Sequence, residues 1–303
     1  MFYNQNKSET LKFGFLVYLK ALLELMKPRV MSLVIFTCAV GLLTSNPDLK
    51  TFDASISITL VAIGAGAAGC LNMWYEADVD ALMTRTCLRP IPTGKIKKNH
   101  ALIYGIFLTI FSVISLNYFA NTLSAFLLLC TILFYLFVYT IWLKRKTPQN
   151  IVIGGVAGAL PPVIGWTIAT NLISIEPISL FLIIFFWTPS HFWALSLYKT
   201  DDYKKAKIPM LPISDGIETT KLYILLYSLL MLPVIIFPYL INFSGLVYLI
   251  PALLLTIYYN FICYDLFNYN KNKFDSKKAK KVFSYSIFYL FLIFTLFLLD
   301  NSI

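Results

Sequence analysis

Histidine occurs only twice in these 303 residues, at His100 and His191, so a multi-histidine metal centre is nearly excluded. The five cysteines, Cys38, Cys70, Cys87, Cys130 and Cys263, show neither Cys-x-x-Cys nor any paired spacing. No disulfide framework, zinc site or c-type haem attachment is written in them, and they read as small apolar packing residues. Charge is also scarce. Only 13% of the residues are Asp, Glu, Lys or Arg, against about 25% in a soluble domain. With 58% hydrophobic residues and a mean hydropathy of +0.74, most of the chain must be solvated by lipid. The net charge of +10 would point to nucleic acid in a soluble protein. Here nucleic acid is not expected as a partner, and the useful question is where the charges fall. Residues 1–27 mix Lys7, Lys12, Lys20 and Lys27 with apolar residues and lack an A-x-A-like cleavage site. This is not a secretory signal but a cytoplasmic N-terminal segment ahead of a single membrane-embedded domain, 28–300.

What the chain has in abundance is long apolar stretches, each of roughly 20 residues. They fall near 28–46, 53–73, 101–120, 122–143, 150–170, 177–198, 219–240, 244–266 and 281–300. Lipid cannot satisfy an open backbone, so an all-α integral membrane fold of about nine spans is expected. Pro28, Pro233 and Pro251 fall at or inside spans and are expected to kink them. Of the 25 basic residues, every one but Lys50 falls on the side that carries the N-terminus. By the positive-inside rule this side is the cytoplasm, and nine spans leave the C-terminus outside. Two basic loops, 81–100 and 199–218, follow spans 2 and 6. Four helices separate them, which points to a duplicated four-helix unit with a ninth helix added.

Polar chemistry gathers in these loops. Asn72, Glu76 and Asp80, at the end of span 2, are spaced i, i+4, i+8 and so share one helix face, while Asp78 points elsewhere. A solvated helix end would account for acids here but not for their shared face. Mutually repelling oxygen ligands make sense around a divalent cation, and oxygen-only ligation favours Mg²⁺. Arg85 and Arg89 follow directly and suit a metal-bound polyphosphate. Lys97 and Lys98 are read as topology alone. In the matching loop after span 6, Asp202 is the expected second metal ligand, with Lys204 and Lys207 as further bases. His191 lies within span 6. It is either a functional group, as an ionisable residue inside a membrane is by default, or a histidine bonded to a neighbouring helix. His100 is expected to be solvated. Span 5 opens on Thr147-Pro-Gln-Asn150 and carries Gly154, Gly155, Gly158 and Gly165, which suit close helix packing. Its Pro161-Pro162 pair is expected to bend the span and open a cavity beside it.

From about Leu25 to Asp300 the chain resembles the UbiA superfamily of intramembrane prenyltransferases, and within it the branch that farnesylates haem. The resemblance is carried, in order, by Lys27-Pro-Arg-Val, Asn72–Asp80, Arg85 with Arg89-Pro-Ile-Pro, Thr147-Pro-Gln-Asn, Leu160-Pro-Pro-Val-Ile-Gly-Trp, His191-Phe-Trp-Ala-Leu, and Asp202-Tyr with Ile208-Pro-Met-Leu-Pro. It implies helices around a central cavity and farnesyl transfer from farnesyl diphosphate to a vinyl group of haem B, which is substrate rather than cofactor, giving haem O. It implies Mg²⁺ held by Asn72, Glu76, Asp80 and Asp202, with Arg85, Arg89 and Lys207 completing the catalytic set. His191 and Tyr198 would face the haem, and Trp74, Tyr75 or Tyr198 would steady an allylic cation. The bilayer implied is the bacterial inner membrane, and the protein partners implied are haem A synthase or terminal-oxidase assembly factors. The sequence departs from the superfamily at Ala206, where a second acid is usual, and at Glu76, where other branches often have Asp. A prenyltransferase acting on a quinone or chlorin precursor shares the metal motifs. A secondary transporter would place its carboxylates near the bilayer midplane rather than at helix ends.

Overall fold

The computed structural model describes residues 14, 16–45, 50–268 and 276–302. Residues 1–13 of the expected N-terminal segment, with Lys7 and Lys12, lie outside the described residues, as do Lys271 and Lys273. Among the described residues eight helices are long and apolar enough to cross a membrane. A bent pair, α1 (Leu16–Leu25) and α2 (Pro28–Leu43), passes the same test together and makes a ninth span when counted as one, with a 52° angle at the break. The other spans are α3 (Thr51–Tyr75), α5 (Lys98–Phe119), α6 (Thr122–Leu133) with its π-helical continuation Phe134–Leu143, and α7 (Asn150–Ala159) with α8 (Pro161–Thr170). They continue with α9 (Ile175–Tyr198), α12 (Ile217–Leu240), α13 (Leu246–Asn268) and α14 (Ser276–Asn301). The short helix α4 (Ala77–Leu82) leads into the first long basic loop, and α10 (Thr200–Lys205) and α11 (Leu211–Ser214) lie in the second. The bent pair begins at Leu16, within the expected N-terminal segment 1–27 and ahead of the expected first span.

The prolines act at different strengths. Pro28 opens α2 at the bent joint, and its predecessor Lys27 sits in the left-handed region at φ 54°. Pro233 and Pro251 lie inside continuous helices, as do Pro189 and Pro238. Pro161 and Pro162 divide span 5 at Leu160, and both are buried. Instead of lining open space they press α8 onto α2. A Cβ on Gly41 would strike the Pro162 carbonyl, and one on Gly165 would strike the Cys38 carbonyl. Backbone therefore meets backbone, as small residues permit in membrane bundles. All five cysteines are free, and Cys38, Cys70 and Cys263 are buried in helix contacts.

The core has two main parts. One gathers α2, α3, α6 and α8 around Leu42, Leu60, Leu128 and Ile164. The other gathers α7, α9, α12, α13 and α14 around Trp187, Trp193, Tyr259 and Phe294. A smaller cluster of Leu25, Cys70, Met73 and Ile96 packs α1 beside α3 and α5. At the end away from the basic loops, Asp300 accepts hydrogen bonds from the backbone N–H groups of Gly245 (2.6 Å) and Tyr248 (3.1 Å), so the last helix caps the start of α13. Both halves also repeat one local pattern. A long helix ends on a tyrosine and is followed within two residues by a six-residue helix that carries a buried Asp: α3 with α4, and α9 with α10.

Gly165→Ala should cost about 1–3 kcal/mol through overpacking, read as a lower melting temperature of the detergent-solubilised protein. Gly158→Ala is the control, because a Cβ there has no atom within 4 Å. It should be neutral or slightly stabilising, as expected of an exposed helical glycine.

Candidate functional site

The α3 helix ends at Tyr75, but its hydrogen-bond ladder continues. The N–H of Glu76 bonds to Asn72 O at 2.9 Å, and that of Asp80 to Glu76 O at 2.8 Å. This continuity keeps Asn72, Glu76 and Asp80 on one inward face, at 2%, 3% and 2% exposure. Asp78 points outward and pairs with Arg145 through two bonds of 2.8 and 3.0 Å.

Each of the three inward groups meets a base from a different element. Lys27 Nζ donates to Asn72 Oδ1 at 2.5 Å. Lys144 Nζ reaches both oxygens of Glu76, at 2.5 and 2.6 Å. Arg89 Nη1 reaches both oxygens of Asp80, at 2.7 and 2.8 Å. Burial alone would raise the Glu76 carboxyl, but Lys144, then Lys27 and Asn72, hold it below the usual carboxylate range. Burial would likewise lower Lys144, but Glu76 outweighs it and raises the ammonium above the usual lysine value. A buried ion pair has to be this close, since each desolvated charge is costly unless matched.

Local structure brings the bases in. Gly66 lies against Met26, and Gly69 against the Lys27 stem (3.4 Å from an added Cβ), so the α1–α2 joint rests on α3 and Lys27 runs to Asn72. On the other side the π-helical turn at Phe134–Leu143 widens the backbone. Thr140 Oγ1 bonds to Tyr135 O (2.8 Å), and Lys144 N–H to Tyr139 O (2.9 Å), both five residues back. Thr140 thus donates its one hydroxyl proton to Tyr135 and accepts Asn72 Nδ2 at 3.0 Å, which fixes the Asn72 amide. Tyr135 and Tyr139 stack at 5.4 Å beside the acids. π-Helical segments recur at functional sites, where they re-aim side chains. Arg89 comes from the loop after α4, pinned by Thr86 Oγ1 on Asp80 O at 2.9 Å.

Asp202, buried in the first turn of α10, joins this loop through Thr84, whose hydroxyl lies 2.8 Å from both of its carboxylate oxygens. Burial raises the Asp202 carboxyl, and the Thr84 bonds outweigh it and hold it below its ordinary value. Arg85 is exposed and stands within electrostatic reach of Tyr139 and Tyr198. Lys204 and Lys207 are exposed, and Ala206 is buried. Among the described residues no three of His, Cys, Asp and Glu converge as a metal cage. The acids converge on bases.

His191 is buried on α9, stacked between Trp187 (4.3 Å) and Phe283 (4.6 Å), with Nδ1 2.6 Å from Ser286 Oγ on α14. Tyr198 packs on the same Phe283, at 5.7 Å. Trp74 and Tyr75 face the bases Lys98 and Arg145. His100 is exposed, with Tyr18 Oη 3.3 Å away.

The sequence reading missed Lys27, Thr84, Tyr135, Tyr139, Thr140 and Lys144. Lys27 enters there through topology and the Lys27-Pro-Arg-Val motif, Lys144 as the start of the basic run that leads into Thr147-Pro-Gln-Asn150, neither with a role at the acids, and a π-helical turn has no residue pattern to read. Asn150, within Thr147–Asn150, donates from Nδ2 to Thr147 O at 2.6 Å and closes the turn into α7.

The Glu76–Lys144 pair gives a pH dependence. A lowered carboxyl contributes stability above the ordinary carboxylate range and loses it as pH falls through the folded value. A raised ammonium contributes below the ordinary lysine range and loses it as pH rises through the folded value. The contribution of this pair, read as the difference in melting temperature between the wild type and the Glu76→Gln, Lys144→Met double variant, should therefore be flat between about pH 5 and 10 and fall on both sides. Lys144→Met should cost about 3–5 kcal/mol at neutral pH by stranding Glu76. Adding Glu76→Gln should recover much of that in a double-mutant cycle.

The comparisons agree with this architecture. The UbiA prenyltransferase family model matches residues 33–296. A protoheme IX farnesyltransferase of Pelagibacter ubique is 70% identical over 298 residues, 98% of this chain and 97% of that one. The protein of the same name from Parvibaculum lavamentivorans is 48% identical, covering 92% of this chain and 88% of the other. Among solved structures, a digeranylgeranylglyceryl phosphate synthase superposes with a TM-score of 0.77 at 20% identity, covering 94% of this chain and 98% of that one. A UbiA homologue from Archaeoglobus fulgidus, solved with DMAPP and Mg²⁺, superposes with a TM-score of 0.64 at 17% identity, covering 93% and 99%. These two show the fold. With the family model spanning most of the chain and near relatives spanning nearly all of it, this multi-pass membrane protein belongs to the UbiA prenyltransferase family.

Proposed function

We propose that this chain transfers the farnesyl group of farnesyl diphosphate to protoheme IX, adding it at a vinyl group to give haem O. The observation that carries the reading is the buried oxygen-donor face of Asn72, Glu76 and Asp80, ringed by Lys27, Arg89 and Lys144. The near-full-length relatives called protoheme IX farnesyltransferase supply the acceptor.

The donor set fits a magnesium diphosphate. Asn72, Glu76, Asp80 and Asp202 are hard oxygen ligands that would hold Mg²⁺. When bound, the cation would neutralise charge developing on the departing diphosphate. The chain's own bases act alongside it. Arg89 and Lys144, which meet carboxylates here, also suit phosphoryl oxygens, and Lys27, Arg85 and Lys207 extend the cationic rim. The stacked Tyr135 offers a π face beside the acids for an allylic cation, whereas Trp74, Tyr75, Tyr139 and Tyr198 each already face a base. The apolar bundle would take the farnesyl tail and keep water from the cation.

The concentration of Lys and Arg at this end of the bundle supports a site at the cytoplasmic face of a bacterial inner membrane, with the N-terminus inside and the C-terminus outside. His191 and Tyr198, which flank Phe283 on the α9–α14 side, belong to the haem end. Haem A synthase or terminal-oxidase assembly factors are the protein partners that a haem O product calls for.

Glu76→Gln and Asp80→Asn, assayed with haem B and farnesyl diphosphate, should each lower haem O formation by about 100-fold or more, the equivalent of losing part of the metal's support. Near-normal product from both variants would remove these residues from the metal site.

A further inference from the structure

His191 has both ring faces covered, by Trp187 at 4.3 Å and 17° and by Phe283 at 4.6 Å and 24°. Only the ring edges remain, and Phe192 packs edge-on at 5.1 Å. One edge meets Ser286, whose hydroxyl bonds to Phe283 O at 2.7 Å within its own helix and lies 2.6 Å from His191 Nδ1. A hydroxyl that gives its single proton to that carbonyl accepts from Nδ1, the tautomer that leaves an in-plane lone pair on Nε2. That nitrogen makes no hydrogen bond among the described residues, and it is not one of the sealed polar atoms without a partner. A second bond holds the frame. Trp187 Nε1 donates to Ser286 O at 2.8 Å, so the stacking ring and the tautomer-setting hydroxyl are tied to one residue of α14.

From this geometry we infer that Ser286 is a positioning residue that presents His191 Nε2 as a ligand to the iron of the haem acceptor. The chemistry matches what an iron-ligating imidazole needs. Such a histidine gives its other N–H to an oxygen acceptor, which fixes the ring and raises the basicity of the ligating nitrogen. A neutral nitrogen also costs the apolar bundle far less than a charge would. A histidine kept only for helix packing would not need an Nε2 left without a hydrogen bond among the described residues. The inference rests on protoheme IX being the acceptor, and it adds how the porphyrin is held: through its metal, by α9 and α14, on the opposite half of the bundle core from the α3 acids.

The test uses the full-length protein in detergent, titrated with ferric haem B and followed by electronic absorption and magnetic circular dichroism, with haem O formation measured separately. The wild type should show an imidazole-ligated spectrum, and His191→Gln should lose it. Ser286→Ala should keep the fold, weaken haem binding about 10–100-fold and broaden the ligation signature. Ser286→Thr, which keeps the hydroxyl, should restore both. An unchanged spectrum and affinity in Ser286→Ala would overturn the positioning role, and an unchanged spectrum in His191→Gln would overturn the ligation. Haem O formation separates this from the broader reading. A wild type that makes haem O while these spectra do not respond overturns the inference alone. A wild type that binds haem through His191 yet forms no haem O overturns the proposed reaction and leaves the ligand assignment standing.

Discussion

Glu76 sits at 3% exposure at the end of a membrane-spanning helix, where a lone carboxylate would be too costly to keep ionised. Lys144 meets both of its oxygens, Arg89 does the same for Asp80, and Lys27 reaches Asn72. These three contacts tie the α1–α2 joint, the end of α3, the loop after α4 and the π-helical end of span 4 into one polar knot. Each base is distant in sequence or lies in a separate loop, so the knot closes only when the helices are packed. Much of the local backbone then has a reason. The glycines of α3 admit Lys27, the widened turn aims Lys144, and Lys27 accepts a left-handed backbone to make the joint.

The same requirement works differently in the other half. There the buried His191 meets it through the Ser286 hydroxyl, 2.6 Å from Nδ1, with aromatic rings stacked on both of its faces. The two halves thus differ in chemistry: a charged cluster of acids and bases on the α3 side, and an aromatic cluster around His191 on the α9–α14 side. Asp202, bound to Thr84 of the first basic loop, is where the two long loops touch, which links the second repeat to the acid face.

Several features were legible before any coordinates. Apolar runs of spanning length and the one-sided distribution of Lys and Arg gave nine spans, because lipid leaves a backbone few options. The i, i+4, i+8 spacing of Asn72, Glu76 and Asp80 gave a shared face, because a helix repeats every 3.6 residues, and the same arithmetic turned Asp78 outward. Pro161-Pro162 marked the break in span 5. Their partner was not legible: they press onto α2 through Gly41 and Gly165 rather than opening a cavity.

What the sequence by itself determined is therefore one-dimensional: which segments enter the membrane, which end of the bundle is basic, and which side chains share a helix face. Hydropathy, charge bias and helical period are all properties of neighbours along the chain. Which base answers which acid was decided by the tertiary structure alone. Lys27 and Lys144 look like any other loop lysines, and Ser286 like any other small polar residue in an apolar helix. Their roles follow from distances across 45, 68 and 95 residues of chain, and pairing energies in a low-dielectric interior depend on those distances and on no local pattern.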